Sequence, residues 1–173
     1  MLRRLAAGSL TVGQLAAPLA MSLVAAGKHV RVLKCAGLVR RRGAPVFDTN
    51  AIGVTRVTQA ALPLLRRSDN PVVVNVSSAF GSFWAVTNPE RPAFGVPTIV
   101  YGASKAAASM LTVQYAKALP DIKINAVEPG YTATDLGGGR PVEESAEVIV
   151  RMACIGKDGP TGTFQEDTGE LGW

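Results

Sequence analysis

Val72-Val-Val-Asn-Val76 is apolar at every position but Asn75. A strand with one wet face would alternate, so this run is expected of a parallel strand covered on both faces. A second strand is expected from Ile122, in Ile122-Lys-Ile-Asn-Ala-Val127. A long helix-forming run, residues 100–119, lies between them. Strand, helix, strand is an α/β pattern.

The remaining bounds are broad. A chain of 173 residues is one domain by length and can bury a substantial core. With 47% hydrophobic residues it reads as globular, not disordered. The formal charge of +5 owes much to Arg3-Arg4 and to Arg40-Arg-Arg42. There is no long basic stripe with interleaved aromatics, and aromatics make up only 6%. Solvated arginines on loops are therefore the preferred reading, with no nucleic-acid partner. Cys35 and Cys154 are too few and too far apart for a metal motif or a disulfide framework. Their apolar or small neighbours point to buried free thiols in a reducing compartment.

The N-terminus, Met1-Leu-Arg-Arg4 and an Ala/Leu-rich stretch to Ala26, has the outline of a secretory signal. Gln14 and Pro18 interrupt its apolar run, which is too short to span a bilayer. A helix over residues 11–26 is expected instead, capped by Thr11 and ended by Gly27. A short strand over residues 29–34 follows. These readings give a cytoplasmic protein with no membrane partner.

Thr98-Ile-Val-Tyr-Gly-Ala-Ser-Lys105 opens the long helical run. Tyr101 and Lys105 stand four residues apart, which on a helix stacks them on one face. An ammonium beside a phenol favours the phenolate, so the tyrosine pKa is expected to fall from about 10 towards working pH. Such a tyrosine can exchange a proton with a carbonyl oxygen. Ser77 and Ser78 end the strand at 72–76, and Pro129-Gly130 ends the strand that begins at Ile122. In open α/β sheets ligands collect at that edge.

Strand, Ser-Ser, helix with Tyr-x-x-x-Lys, strand, Pro-Gly: in this order the chain resembles the short-chain dehydrogenase/reductase family of classical type, over residues 46–173. The resemblance implies a truncated Rossmann-like, doubly wound parallel sheet in a single domain. It implies an NAD(P)-dependent oxidoreductase moving a hydride between nicotinamide and a small-molecule alcohol or ketone, with NAD and NADP not distinguished. By the family pattern Asn50, Ser78, Tyr101 and Lys105 form the catalytic set. Gly37, Tyr101, Lys105, Pro129, Gly130 and Thr134 face the cofactor, and no metal is required. Asn50 would distort its helix and support a proton relay to Lys105. A homo-oligomer is implied, through the helices at 46–67 and 100–119.

Residues 1–45 depart from the pattern. Lys34-Cys35-Ala36-Gly37 stands where the family has Asn-Asn-Ala-Gly. Gly8-Ser-Leu-Thr-Val-Gly13 is no dinucleotide fingerprint, having two glycines at unsuitable spacing. The expected organisation is a divergent segment, 1–45, followed by the catalytic half, 46–173. Two alternatives stay open: an inactive remnant that folds or oligomerises without binding the dinucleotide, and an incomplete reading of a longer gene.

Three local expectations complete the reading. Asp48 or Thr49 caps the helix at 46–67, and Pro63 kinks or ends it. The stretch 83–98, with Pro89, Pro92 and Pro97, is a stiff non-helical loop that either walls a substrate site or packs on its own aromatics. Pro141 opens a helix over 141–154 with Glu143 and Glu144 at its positive end.

Overall fold

The computed structural model describes residues 44–133 and 138–173, together with Ser22, Ala25, Lys28 and Val30. The chain divides into two compact units, Met1–Arg42 and Gly43–Trp173. In the first, Ser22 is not helical, and its hydroxyl accepts a hydrogen bond from the Ala25 amide at 3.1 Å, the geometry of a helix start. Ala25, Lys28 and Val30 are helical. Of the helix expected over 11–26, Ser22 is not helical and Ala25 is, and the rest lies outside the described residues. The expected strand at 29–34 fails at Val30, since a six-residue alternation is too short to exclude a helix.

The second unit begins with helix α1, Ala44–Phe47, which runs without a break through a π-helical turn, Asp48–Ile52, into helix α2, Gly53–Leu65. The Gly53 amide reaches back five residues to the Asp48 carbonyl, which defines the bulge. Asp48 is therefore no cap. It lies inside the helical run and pairs with Arg56 at 3.0 Å on the surface. Pro63 lies inside α2, two residues before its end at Leu65, and has no amide to give the carbonyl four residues back.

Strand β1 is Val72–Val76. A 3-10 turn, Ala79–Gly81, and a short helix α3, Phe83–Thr87, follow it. The stretch 83–98 is thus not wholly loop. Ser82 caps α3, its hydroxyl accepting from the Ala85 amide at 2.9 Å, and all three prolines lie beyond Thr87. Helix α4 spans Ile99–Ala118, strand β2 Lys123–Val127, helix α5 Val142–Ala153, strand β3 Phe164–Glu166 and strand β4 Gly169–Glu170. Pro141 sits just before α5, and Glu143 and Glu144 occupy its first turn.

The sheet order is β1-β2-β3-β4, parallel from β1 to β3 with an antiparallel final pair. Val148 and Met152 of α5 pack with Val127 against one face, and Val74 joins them from β1. Ala126 and Phe164 meet Ala85, Ala93 and Leu171 in a second cluster. Among the described residues β1 is the outer strand, and Val76 is 44% exposed. It is less covered than its apolar sequence suggests.

The long helix buries a different face from the one its large apolar residues propose. Gly102, Ser104, Ala108, Ser109 and Thr112 are buried, while Met110 points outward. Small residues and hydroxyls let α4 lie close to the sheet, and each buried hydroxyl needs a partner. Thr112 donates to the Ala108 carbonyl and accepts from Asn75 Nδ2, both at 2.9 Å. Cys154 is exposed, not buried, because α5 ends at Ala153 and releases it to the surface.

Candidate active site

The site forms where β1 ends. Backbone pairing carries on one residue past the strand, the Ser77 amide donating to the Val127 carbonyl at 2.9 Å. The chain then tightens into the 3-10 turn at Ala79–Gly81 and lies on α4. Two glycines make that approach possible. A Cβ on Gly81 would stand 2.6 Å from the Lys105 carbonyl carbon and 2.8 Å from the Ala106 nitrogen. A Cβ on Gly102 would stand 3.0 Å from the Phe80 carbonyl oxygen. With hydrogens there, backbone meets backbone, and Ser78 is carried to the helix face that holds Tyr101 and Lys105.

Buried hydroxyls fix the same junction. Ser77 donates to the Lys105 carbonyl at 3.1 Å and shares a 2.8 Å hydrogen bond with Ser109. Far from being a bystander to Ser78, it clamps the helix to the strand end. Asn50, in the π-helical turn, donates from Nδ2 to Ser104 Oγ at 3.0 Å, and Ser104 donates to the Tyr101 carbonyl at 2.7 Å. The distortion expected at Asn50 is present. Its side chain is tied to the residue before Lys105.

Lys105 Nζ donates to the Val76 carbonyl at 2.7 Å and lies 5.8 Å from the centre of the Tyr101 ring. Tyr101 keeps 41% of its surface open to solvent, with Phe80 edge-on to its ring. The tyrosine pKa lies above its ordinary value, not below as the spacing alone suggests. Burial raises it, the Ser78 hydroxyl opposes this, and the Glu128 carboxylate adds to the rise. Burial lowers the Lys105 pKa, and Glu128 works against that. One ammonium hydrogen goes to a backbone carbonyl, and the ammonium lies over the Tyr101 ring.

Glu128 carries no signal in the sequence beyond its place before Pro129. Its carboxylate accepts the Ala79 amide at 2.5 Å and the Gly130 amide at 2.9 Å. It thereby joins the turn after β1 to the turn after β2. Burial raises its pKa, while those amides and the Ser78 hydroxyl hold it down. Gly130 has φ 79°, a left-handed backbone that suits glycine, and a Cβ there would strike the Arg140 guanidinium. Arg140 is held in turn by Asp167 at 2.6 Å.

The structure thus brings Asn50, Ser78, Tyr101, Lys105, Pro129 and Gly130 to one edge of the sheet. Gly37 and Thr134 lie outside the described residues. The residues missed in the sequence are Glu128, Ser104, Gly81 and Gly102. Gly102, inside Tyr-Gly-Ala-Ser-Lys, had a signal in its smallness. The others each act through at least one partner distant in sequence.

Known proteins resemble this chain in sequence and in fold. The sequence model of the short chain dehydrogenase family matches residues 23–144. The chain is 33% identical to (-)-isopiperitenone reductase of Mentha piperita, covering 67% of this chain and 48% of that protein. It is 32% identical to salutaridine reductase of Papaver bracteatum, over 68% of this chain and 49% of that one. The chain spans about half the length of the curated relatives it matches. Among solved structures, salutaridine reductase from Papaver somniferum is 28% identical with a TM-score of 0.62, over 81% of this chain and 62% of that chain. The NADPH-bound carbonyl reductase from chicken fatty liver shares the fold, with a TM-score of 0.59 at 24% identity, over 76% and 57%. Motif order, a parallel sheet with its site at the strand ends, and these matches agree: the chain belongs to the short chain dehydrogenase family.

Proposed function

We propose that the chain carries the catalytic part of an NAD(P)-dependent oxidoreductase that interconverts a small-molecule ketone and its alcohol. The observation that carries this reading is the convergence of Ser78, Tyr101 and Lys105 at the C-terminal edge of the parallel sheet, on either side of the turn after β1.

The residues present fit a nicotinamide. Lys105 uses one ammonium hydrogen on Val76 and keeps two for ribose hydroxyls. Pro129 and Gly130 follow β2 at the same edge of the sheet. When bound, the nicotinamide supplies or accepts the hydride at the substrate carbon. Ser78 orients the substrate oxygen, and Tyr101 gives that oxygen its proton, or takes it back in oxidation. With its pKa above the ordinary value, Tyr101 remains protonated at neutral pH, which suits ketone reduction. Asn50 secures the helix that aims both residues and would support the return of a proton through Lys105. Gly37 and Thr134 belong to the same site by family pattern.

The test is a titration of the chain with NADH and NADPH, then a ketone screen with the tighter cofactor. Micromolar saturable binding with turnover is expected. Tyr101→Phe should lower turnover by about 10²–10⁴-fold with binding and fold retained. Undiminished turnover in that variant would remove Tyr101 from the mechanism.

A second copy of the chain is the proposed partner. Val57 and Leu64 of α2 are 69% and 66% exposed, and Met110 of α4 is 57% exposed. The exposed thiol of Cys154 suits a reducing compartment such as the cytoplasm. Among the described residues no helix is long and apolar enough to cross a membrane.

A further inference from the structure

The peptide plane that joins Ser78 to Ala79 is held at both ends. The Ser78 carbonyl accepts the Gly81 amide at 2.7 Å, and the Ala79 amide donates to Glu128 Oε2 at 2.5 Å. The first of these bonds is local to the 3-10 turn. The second comes from 49 residues away, at the end of β2. Loss of either hold lets the plane rotate and lets the backbone that carries Ser78 shift with it.

The other carboxylate oxygen, Glu128 Oε1, accepts the Gly130 amide at 2.9 Å. One side chain therefore grips two turns, the one that bears Ser78 and the one that bears Pro129 and Gly130. Its own backbone is anchored to the sheet, the Glu128 amide donating to the Gln165 carbonyl at 2.8 Å. Among the described residues no salt bridge involves Glu128. Two backbone amides, and not a paired cation, are what its carboxylate holds. Only a carboxylate suits that task. It offers two acceptor oxygens and no donor, whereas a carboxamide offers one oxygen and would turn its NH₂ towards the second N–H. Hydrogen bonds to a charged acceptor are also the stronger kind.

We infer that Glu128 is a positioning residue for the reaction, fixing Ser78 relative to the Pro129-Gly130 turn through the Ala79 and Gly130 amides. Hydride transfer needs the carbonyl that Ser78 orients to meet the nicotinamide at a set distance, and a misplacement of about 1 Å can cost about 10²-fold. The inference rests on the oxidoreductase reading for its effect on turnover. The grip on the two turns does not depend on that reading.

Glu128→Gln keeps the shape of the side chain and removes one acceptor, and two measurements decide the matter. The first is turnover of a ketone. Glu128→Gln should lower kcat by about 10–100-fold, with KM changed less than kcat. In a Ser78→Ala background the same substitution should cost less than about threefold, because the group it aims is gone. An undiminished kcat, or an equal loss with and without Ser78, overturns the inference. The second is amide hydrogen exchange in the free chain, followed residue by residue by NMR. The Ala79 and Gly130 amides should be protected in the parent, and at least one should exchange about tenfold faster in Glu128→Gln. The Ser77 amide, bonded to the Val127 carbonyl, should keep its rate. Unchanged exchange at both turns, or an acceleration that includes Ser77 equally, overturns the inference. If the parent chain turns over no ketone, the oxidoreductase reading fails, and the exchange rates still decide whether Glu128 holds the two turns. Should far-ultraviolet circular dichroism show that Glu128→Gln does not fold, Glu128→Asp takes its place. It keeps the charge with the carboxylate drawn back by one methylene, and the same outcomes are expected of it.

Discussion

Thr112 and Asn75 show how much of this fold rests on single polar atoms. Thr112 is fully buried, and its hydroxyl satisfies both the Asn75 amide and the Ala108 carbonyl. Thr112→Val keeps the shape and orphans a buried N–H donor, so a loss of about 1–3 kcal/mol is expected in urea unfolding. Adding Asn75→Leu removes the orphan as well, and the double variant should recover part of that loss. A double variant weaker than the sum of the singles would refute the pairing. At this scale Tyr101 and Lys105 were legible in the sequence because their relation is local, one helical turn. The direction of the Tyr101 pKa was not legible. It is set first by burial, with a smaller push from Glu128, 27 positions away in the sequence and brought near only when β1 and β2 pair.

Among the elements, the decisive join is the turn after β1 against α4. Gly81→Ala places a methyl group 2.6 Å from the Lys105 carbonyl carbon, where helix backbone cannot yield without moving Lys105 itself. The expected result is a loss of about 1–3 kcal/mol in stability, with a larger proportional loss of activity than of folded protein. Cofactor affinity, read by fluorescence titration, should fall with it, and a fully active Gly81→Ala would show that the turn is not what aims Lys105. Element positions were readable to within one or two residues at β1, α4 and α5, where apolar periodicity and punctuation agree. The buried face of α4 is not the one hydropathy picks out, because hydropathy ranks Met110 above Ser109, whereas close packing on a sheet selects for size. The helix at Phe83–Thr87 was hidden by prolines that all lie downstream of it.

For the whole molecule, the exposed apolar residues of α2 and α4 set the expected assembly. Sedimentation should give a dimer or larger species, and Val57→Lys with Leu64→Lys should reduce it to monomer without unfolding it. A parent chain that is monomeric at micromolar concentration would leave those faces without the proposed partner. The α/β class and parallel sheet were legible because continuous apolar strands and a long helix between them admit few other arrangements. The rest of the architecture was less so, since a weakly patterned segment such as 29–34 reads equally well in either secondary structure.

The far end of the chain bears on the same corner. Ser82 Oγ donates to the Gly172 carbonyl at 2.6 Å, the Trp84 amide to the Trp173 oxygen at 2.9 Å, and the Trp173 ring lies on Phe164. Ser82 is four residues beyond Ser78, so Trp173 is mechanically coupled to the site with little slack between them. A load applied at Trp173 is transmitted through that linkage to Ser78. Anchoring through the exposed thiol of Cys154 would spare that linkage.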